Sequence, residues 1–176
     1  MYFFSDNYDI PPLSLQIGYD KRFYEMISNH GFIDQFLNDV VLKTSDLFTK
    51  PDSNLPRIIW KIESIEYFEE VQLTADELCN YNENMEVLKD LRRGNPVPLI
   101  LFSGNVNNSR NSRNLAGCSY PNSACGNKLG SNFGVIDVDY SSLSSKRMAR
   151  QMAQELGKMV CVYCNCNKLT VKGKLL

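Results

Sequence analysis

Apolar and polar positions along the chain follow two different periods. Alternating or continuous apolar runs predict strands at 13–20, 54–70, 96–104, 115–120 and 133–141. Apolar residues at three- and four-residue spacing predict helices at 31–48 and 142–160, and helix start and stop signals predict another at 74–94. Strands that alternate with helices in this way predict an α/β fold with a mainly parallel sheet.

Each predicted helix carries its own signal. The first places an apolar stripe at helical spacing: Phe32, Phe36, Val40, Val41 and Leu47. The second opens with Thr74 and Glu77, a capping box, and ends at Gly94 after two arginines that favour a helix C-terminus, Arg92 and Arg93. The last, capped near Ser144 or Ser145, has a methionine-rich apolar face: Met148, Met152, Leu156, Met159 and Val160.

Composition and charge narrow the class of protein. The chain has 176 residues, enough for one domain with a sizeable core, of which 43% are hydrophobic and 22% charged. A formal net charge of −1 gives no electrostatic reason to bind nucleic acid or an acidic membrane. No apolar run approaches the about 20 residues of a membrane span. We therefore expect neither a nucleic-acid partner nor a membrane span.

The cysteines point to an oxidising compartment. There are six, five of them in the last third of the chain: Cys79, Cys118, Cys125, Cys161, Cys164 and Cys166. An even number predicts disulfides, and the glycosylation sequon at Asn107 is compatible with secretion. The N-terminus does not form a secretion signal, so we expect that a leader is missing. Free thiols, or a soft metal at 161–166, remain alternatives, and the sequence does not choose the pairing.

The segment MAQELGKMVCVYC, residues 152–164, has the frame of a zinc-protease helix. In the motif H-E-x-x-H, two histidines on one helix face hold zinc and the glutamate is the general base. Its extended form adds a glycine and a third histidine. Glu155 keeps the base position, whereas Gln154, Lys158 and Cys164 stand at the three ligand positions.

The surrounding sequence resembles the reprolysin-like metalloproteinases, the adamalysin and ADAM-type group of the metzincin clan. The resemblance rests on LQIGYDKRFYE, NLAGCSY and GVIDVDYSSLSSKRMARQMAQELGKM, and it covers residues 13–166. It implies a three-layer sandwich with a mostly parallel twisted sheet, one antiparallel edge strand and flanking helices. It also implies a substrate cleft at Leu115, Ala116 and Gly117, and a truncated C-terminal subdomain. Residues 1–12 and 167–176 then form a loose N-terminal segment and a tail.

The departures from the motif remove the expected chemistry. Gln154 offers a neutral amide and Lys158 an ammonium, so neither suits a catalytic zinc, and Glu155 becomes a vestigial base. The single histidine, His30, lies far upstream and is expected in a loop or at a helix end. The sequence thus favours a secreted, inactive protease homologue without a cofactor that binds a protein or peptide; the resemblance implies host or extracellular-matrix partners. Two alternatives stay open: residual zinc metalloendopeptidase activity with Glu155 as base, and a non-functional truncated fragment.

Overall fold

The chain folds into alternating strands and helices. The computed structural model describes residues 12–28, 31–51, 57–71, 85–104, 117–120, 132–140 and 143–160, together with Leu55 and Ser123. The described strands are β1 (Pro12–Asp20), β2 (Ile59–Phe68), β3 (Leu99–Gly104), β4 (Gly117–Ser119) and β5 (Phe133–Val138). The described helices are α1 (Lys21–Ile27), α2 (Ile33–Thr49), α3 (Met85–Arg92) and α4 (Ser145–Val160).

The strands form one sheet in the order β2-β1-β3-β5-β4. The pairings of β1 with β2, β1 with β3 and β3 with β5 are parallel, and β4 runs antiparallel to β5 at the edge. The predicted mainly parallel α/β sheet with an antiparallel edge strand is therefore confirmed. Within the described ranges, no helix is long and apolar enough to cross a membrane.

Helices cover both faces of the sheet, so the central strand β3 is buried on both sides. Ile100 and Phe102 point into a core that includes side chains of α1, α2 and α4. Leu99 and Leu101 point into a second core, where they meet Leu88 of α3. A strand buried on both faces needs apolar residues at consecutive positions, which explains the continuous apolar run of this segment.

The core stripe of α2 differs in part from the predicted one. Val40 and Val41 are buried as expected, and the stripe continues through residues that the sequence analysis did not single out: Leu37, Thr44, Ser45 and Phe48. Phe32 is the helix N-cap and is 78% exposed, so its inclusion in the stripe was wrong. Because the helix begins only at Ile33, Phe32 lies outside its periodic surface. Ser45 joins the helix to β2 by accepting a hydrogen bond from the Trp60 amide at 2.9 Å.

The junction between β1 and α1 is held by a buried carboxylate. Asp20 ends β1 and caps α1, accepting from the Phe23 amide at 2.8 Å. It also accepts two bonds from the end of β3, from the Ser103 hydroxyl at 2.6 Å and the Gly104 amide at 3.1 Å. A Cβ at Gly104 would lie 2.5 Å from the backbone of Arg22, so only glycine lets α1 approach β3 this closely.

The end of α3 also differs from the sequence prediction. Gly94 follows the helix with a φ of +79°, as the predicted glycine stop requires. Arg93 forms an exposed pair with Asp90, whereas Arg92 is buried and donates to the Gln16 side chain and the Val97 carbonyl. Burial lowers the pKa of Arg92. The predicted capping box at Thr74 and Glu77 lies outside the described residues.

Candidate functional site

Helix α4 carries most of the residues that the zinc-protease frame singled out. Its predicted apolar face is confirmed, since Met148, Met152, Leu156, Met159 and Val160 are all buried. Among the polar residues, Gln154 and Lys158 are partly exposed. Glu155 is the exception, because this carboxylate is fully buried. A buried carboxylate needs partners, and its partners define the candidate site.

Three side chains donate hydrogen bonds to Glu155. The Ser119 hydroxyl of β4 donates to Oε2 at 2.7 Å, and the Gln151 amide donates to Oε1 at 3.0 Å. The Lys158 ammonium reaches both oxygens, at 2.9 Å from Oε1 and 3.0 Å from Oε2. The side chain of Lys158 remains 40% exposed, so the pair has one buried member and one at the surface.

These contacts use the whole hydrogen-bonding capacity of the carboxylate. An ionised carboxylate offers about four lone-pair positions, and the four bonds to Glu155 fill them. A general base must instead keep an acceptor position for the proton that it takes. The Ser119 hydroxyl also lies 3.1 Å from the Glu155 carbonyl oxygen, so two contacts join β4 to α4 here. These hydrogen bonds therefore hold the edge strand β4 against helix α4.

Gly117 brings the backbone of β4 against the same residues. A Cβ at this position would lie 2.7 Å from Gln151 Nε2 and 3.0 Å from Glu155 Oε1. Both distances are shorter than ordinary van der Waals contacts, so a side chain here would clash with the Gln151 amide and the Glu155 carboxylate. The absence of a side chain at Gly117 lets the edge strand lie directly over α4.

We expect Gly117→Ala to lower the free energy of unfolding by about 1–2 kcal/mol, because the added methyl group overfills this contact. The end of Gln151 can move aside, whereas Glu155 is held by its other partners. Urea unfolding of the variant and of wild type measures the difference. In Gly117→Ala combined with Gln151→Ala, the removed amide makes room, and the cost of the methyl group should shrink. An undiminished cost would contradict this account.

The helical ligand positions do not fit zinc. A catalytic zinc takes about three nitrogen, sulfur or carboxylate ligands. Gln154 supplies a neutral amide, and the Lys158 ammonium is paired with Glu155. In the part of the chain that the structure describes, no three His, Cys, Asp or Glu side chains converge on a point where a metal could bind. Cys164, at the third position, and His30 lie outside the described residues.

The structure brings together only part of the predicted site. Gly117, Glu155 and Lys158 meet where β4 crosses α4, while Leu115 and Ala116 lie outside the described residues. Cys118 is disulfide-bonded. The other five cysteines lie outside the described residues, so their pairing stays a prediction.

Sequence reasoning missed two residues of the site, Ser119 and Gln151. Gln151 precedes Glu155 by four positions, a helical spacing that puts the two side chains side by side and could have revealed it. The sequence gives no such signal for Ser119, because 36 positions separate it from Glu155.

Comparisons with known proteins show likeness only in three dimensions. No protein-family model matches the chain, and no curated protein sequence matches it. A solved structure described as a chaperone–substrate complex aligns with a TM-score of 0.53 and 11% identity, over 85% of this chain and 26% of its own. Metalloproteinase-II from Bacteroides fragilis, a distant structural neighbour, aligns with a TM-score of 0.42 and 12% identity, over 85% of this chain and 43% of its own.

These likenesses concern the fold alone. The chain spans about a quarter of the first structure and less than half of the second. At an identity of 11% the first likeness shows a shared fold and no shared activity. A TM-score of 0.42 is too low for the second to support an argument.

Proposed function

We propose that this protein is a metalloproteinase homologue of the reprolysin-like type that does not hold a catalytic zinc and acts by binding a peptide or protein segment. The observation that carries the proposal is the state of Glu155, whose carboxylate is buried and bonded to three side chains of the chain itself. The sequence resemblance over 13–166 supplies the type, and the α/β sheet with its antiparallel edge strand agrees with it.

The side chains of Gln154, Glu155 and Lys158 argue against hydrolysis of a peptide bond at this site. Zinc lowers the pKa of a bound water from ~16 to about 7, which creates the nucleophile in such enzymes. Gln154 and Lys158 are poor ligands, and a cation paired with Glu155 repels a divalent ion from the same carboxylate. Without an activated water, a general base has no proton to take. Glu155 therefore serves as a structural link in this proposal.

The surface that would bind is the outer edge of β4. Among the strands that the structure describes, β4 is the last in the sheet order, and its described partner is β5. The outer strand of a sheet can accept an extended peptide as a further strand, through main-chain hydrogen bonds. Leu115, Ala116 and Gly117 would line that contact. The hydrogen bond from Ser119 to Glu155 holds β4 against α4, so the position of this strand does not depend on a bound metal.

Partner and compartment follow from the same proposal. We expect an extracellular protein with an extended segment as the ligand, and the host or matrix class comes from the resemblance alone. The disulfide at Cys118 supports a secreted protein, since such bonds persist in oxidising surroundings. Disulfides among the remaining cysteines belong to the same proposal.

We expect wild-type protein to bind an extended casein-derived peptide and to leave it intact, with and without added zinc. Fluorescence anisotropy of the labelled peptide reports binding, and mass spectrometry reports cleavage. A peptide with N-methyl groups at alternate residues cannot form the strand hydrogen bonds and should bind more weakly. Cleavage that a chelator blocks, together with stoichiometric zinc by elemental analysis after dialysis, would establish the peptidase alternative instead.

The double variant Gln154→His with Lys158→His is the control for the metal assay. It restores two imidazoles at helical spacing and releases Glu155 from its cation, so its zinc affinity should exceed that of wild type. We expect little turnover, because the third ligand position holds Cys164 instead of histidine. Full peptidase activity in this variant would mean that the rest of the catalytic site is intact.

A further inference from the structure

Three tyrosines form a cluster at the end of the sheet opposite β4 in strand order. Tyr19 and Tyr67 are register partners and the penultimate residues of β1 and β2, and Tyr24 comes from α1. Ring centroids lie 5.5 Å apart for Tyr19 and Tyr67, 5.9 Å for Tyr24 and Tyr67, and 6.3 Å for Tyr19 and Tyr24. Each ring thus contacts the other two, and we call these three residues the tyrosine cluster.

The cluster is open to solvent at a place where α/β proteins bind ligands. Tyr24 is 46% exposed and Tyr67 44% exposed, while Tyr19 is half-buried and packs against the core. The carboxyl ends of β1 and β2 lie here, and open α/β sheets commonly bind ligands outside the carboxyl ends of their strands. Aromatic surface that is exposed and grouped, with charged residues around it, is characteristic of interaction sites.

Several carboxylates lie near the cluster. The pKa of Tyr19 is raised, first by burial and then by the carboxylate of Asp34. The pKa of Tyr67 is raised by desolvation, and the nearby carboxylates of Glu69 and Glu25 add to this. Asp34, Glu25 and Glu69 are exposed, and none is in a salt bridge with a described residue. Exposed carboxylates are groups with which a ligand of opposite charge can pair.

Ring faces and carboxylates together select a planar cation. The face of an aromatic ring is electronegative and attracts a cation placed over it, most often a guanidinium. A guanidinium also stacks on a ring while its N–H groups reach a carboxylate in a fork. Tyr24 and Tyr67 keep nearly half of their surface exposed to solvent, so a guanidinium can reach ring surface on either side chain. We propose that the tyrosine cluster is a docking surface for an arginine side chain in a basic segment of a partner protein.

The test uses the full chain and a fluorescent, glycine-spaced arginine peptide, followed by anisotropy. We expect wild type to bind it and to discriminate against the same peptide with citrulline, which keeps the shape and loses the charge. Tyr24→Ala and Tyr67→Ala should each weaken binding about two- to fivefold. Glu69→Gln should also weaken it, and added salt should weaken it further because the acids are exposed.

Matched variants separate docking from folding. Tyr24→Phe keeps the ring face and should bind as wild type does, and Tyr140→Ala removes a 66% exposed ring outside the cluster and should change nothing. Thermal unfolding verifies that each variant is folded. Three results would overturn the proposal: no binding by wild type, equal binding of the citrulline peptide, or unchanged binding by folded Tyr24→Ala and Tyr67→Ala.

Discussion

Glu155→Ala is expected to lower the free energy of unfolding by about 2–4 kcal/mol. The substitution removes the carboxylate that accepts from Ser119 and Gln151. The Gln151 amide loses this partner, and the Ser119 hydroxyl keeps only the longer contact with the main-chain carbonyl of residue 155. Lys158 is 40% exposed and can return to water, which keeps the loss below that of a fully buried ion pair. A residue whose only role was proton transfer would show no such effect.

Urea unfolding followed by circular dichroism measures this loss. Gln154→Ala is the matched control, because it changes the neighbouring, partly exposed residue of the same helix and should alter stability by less than ~0.5 kcal/mol. Glu155→Gln keeps the shape and loses the charge, so an intermediate value is expected. Equal stability of Glu155→Ala and wild type would rule out the structural role. Wild type that unfolds without a cooperative transition would instead favour the truncated-fragment alternative.

Asp20→Ala is expected to cost about 2–4 kcal/mol as well, through a different set of bonds. The carboxylate is fully buried and accepts from the amides of Phe23 and Gly104 and from the Ser103 hydroxyl. Alanine leaves all three donors unsatisfied in a place that water does not reach. The helix N-cap and the end of β3 are weakened together, because a single side chain serves both.

Chemical unfolding gives the size of this effect, and hydrogen exchange locates it. Protection should fall first at the Phe23 and Gly104 amides. Asp90→Ala is a suitable control, since it removes an exposed carboxylate paired with Arg93 and should cost less than about 1 kcal/mol. Loss of protection that is spread evenly over the chain would contradict a local role for Asp20.

Glu155 and Asp20 illustrate a common principle, although one was predicted as a functional residue and the other was not. Both are fully buried carboxylates that accept a hydrogen bond from a separate element of the fold. Burial without partners would be costly for either, so the position of each depends on donors supplied by the fold. Such a carboxylate contributes to stability, and its presence in a motif does not by itself indicate catalysis.

The sequence by itself determined the features that depend on local geometry. The buried face of α4 and the strand at β3 follow from the spacing of apolar residues, because a helix and a strand each repeat with a fixed period. The glycine stop at Gly94 follows from backbone conformation in the same way. The loss of two zinc ligands, at Gln154 and Lys158, is likewise a statement about residue types alone.

Tertiary structure decided which of these residues meet. Ser119 and Glu155 are 36 positions apart, and Asp20 and Ser103 are 83 apart. Tyr67 reaches Tyr19 only because β2 pairs with β1 in one particular register. Periodicity describes one element at a time, whereas these contacts depend on strand order, register and the approach of a helix to the sheet. For that reason the sequence identified Glu155 and Lys158, and the fold revealed that Ser119 binds the same carboxylate.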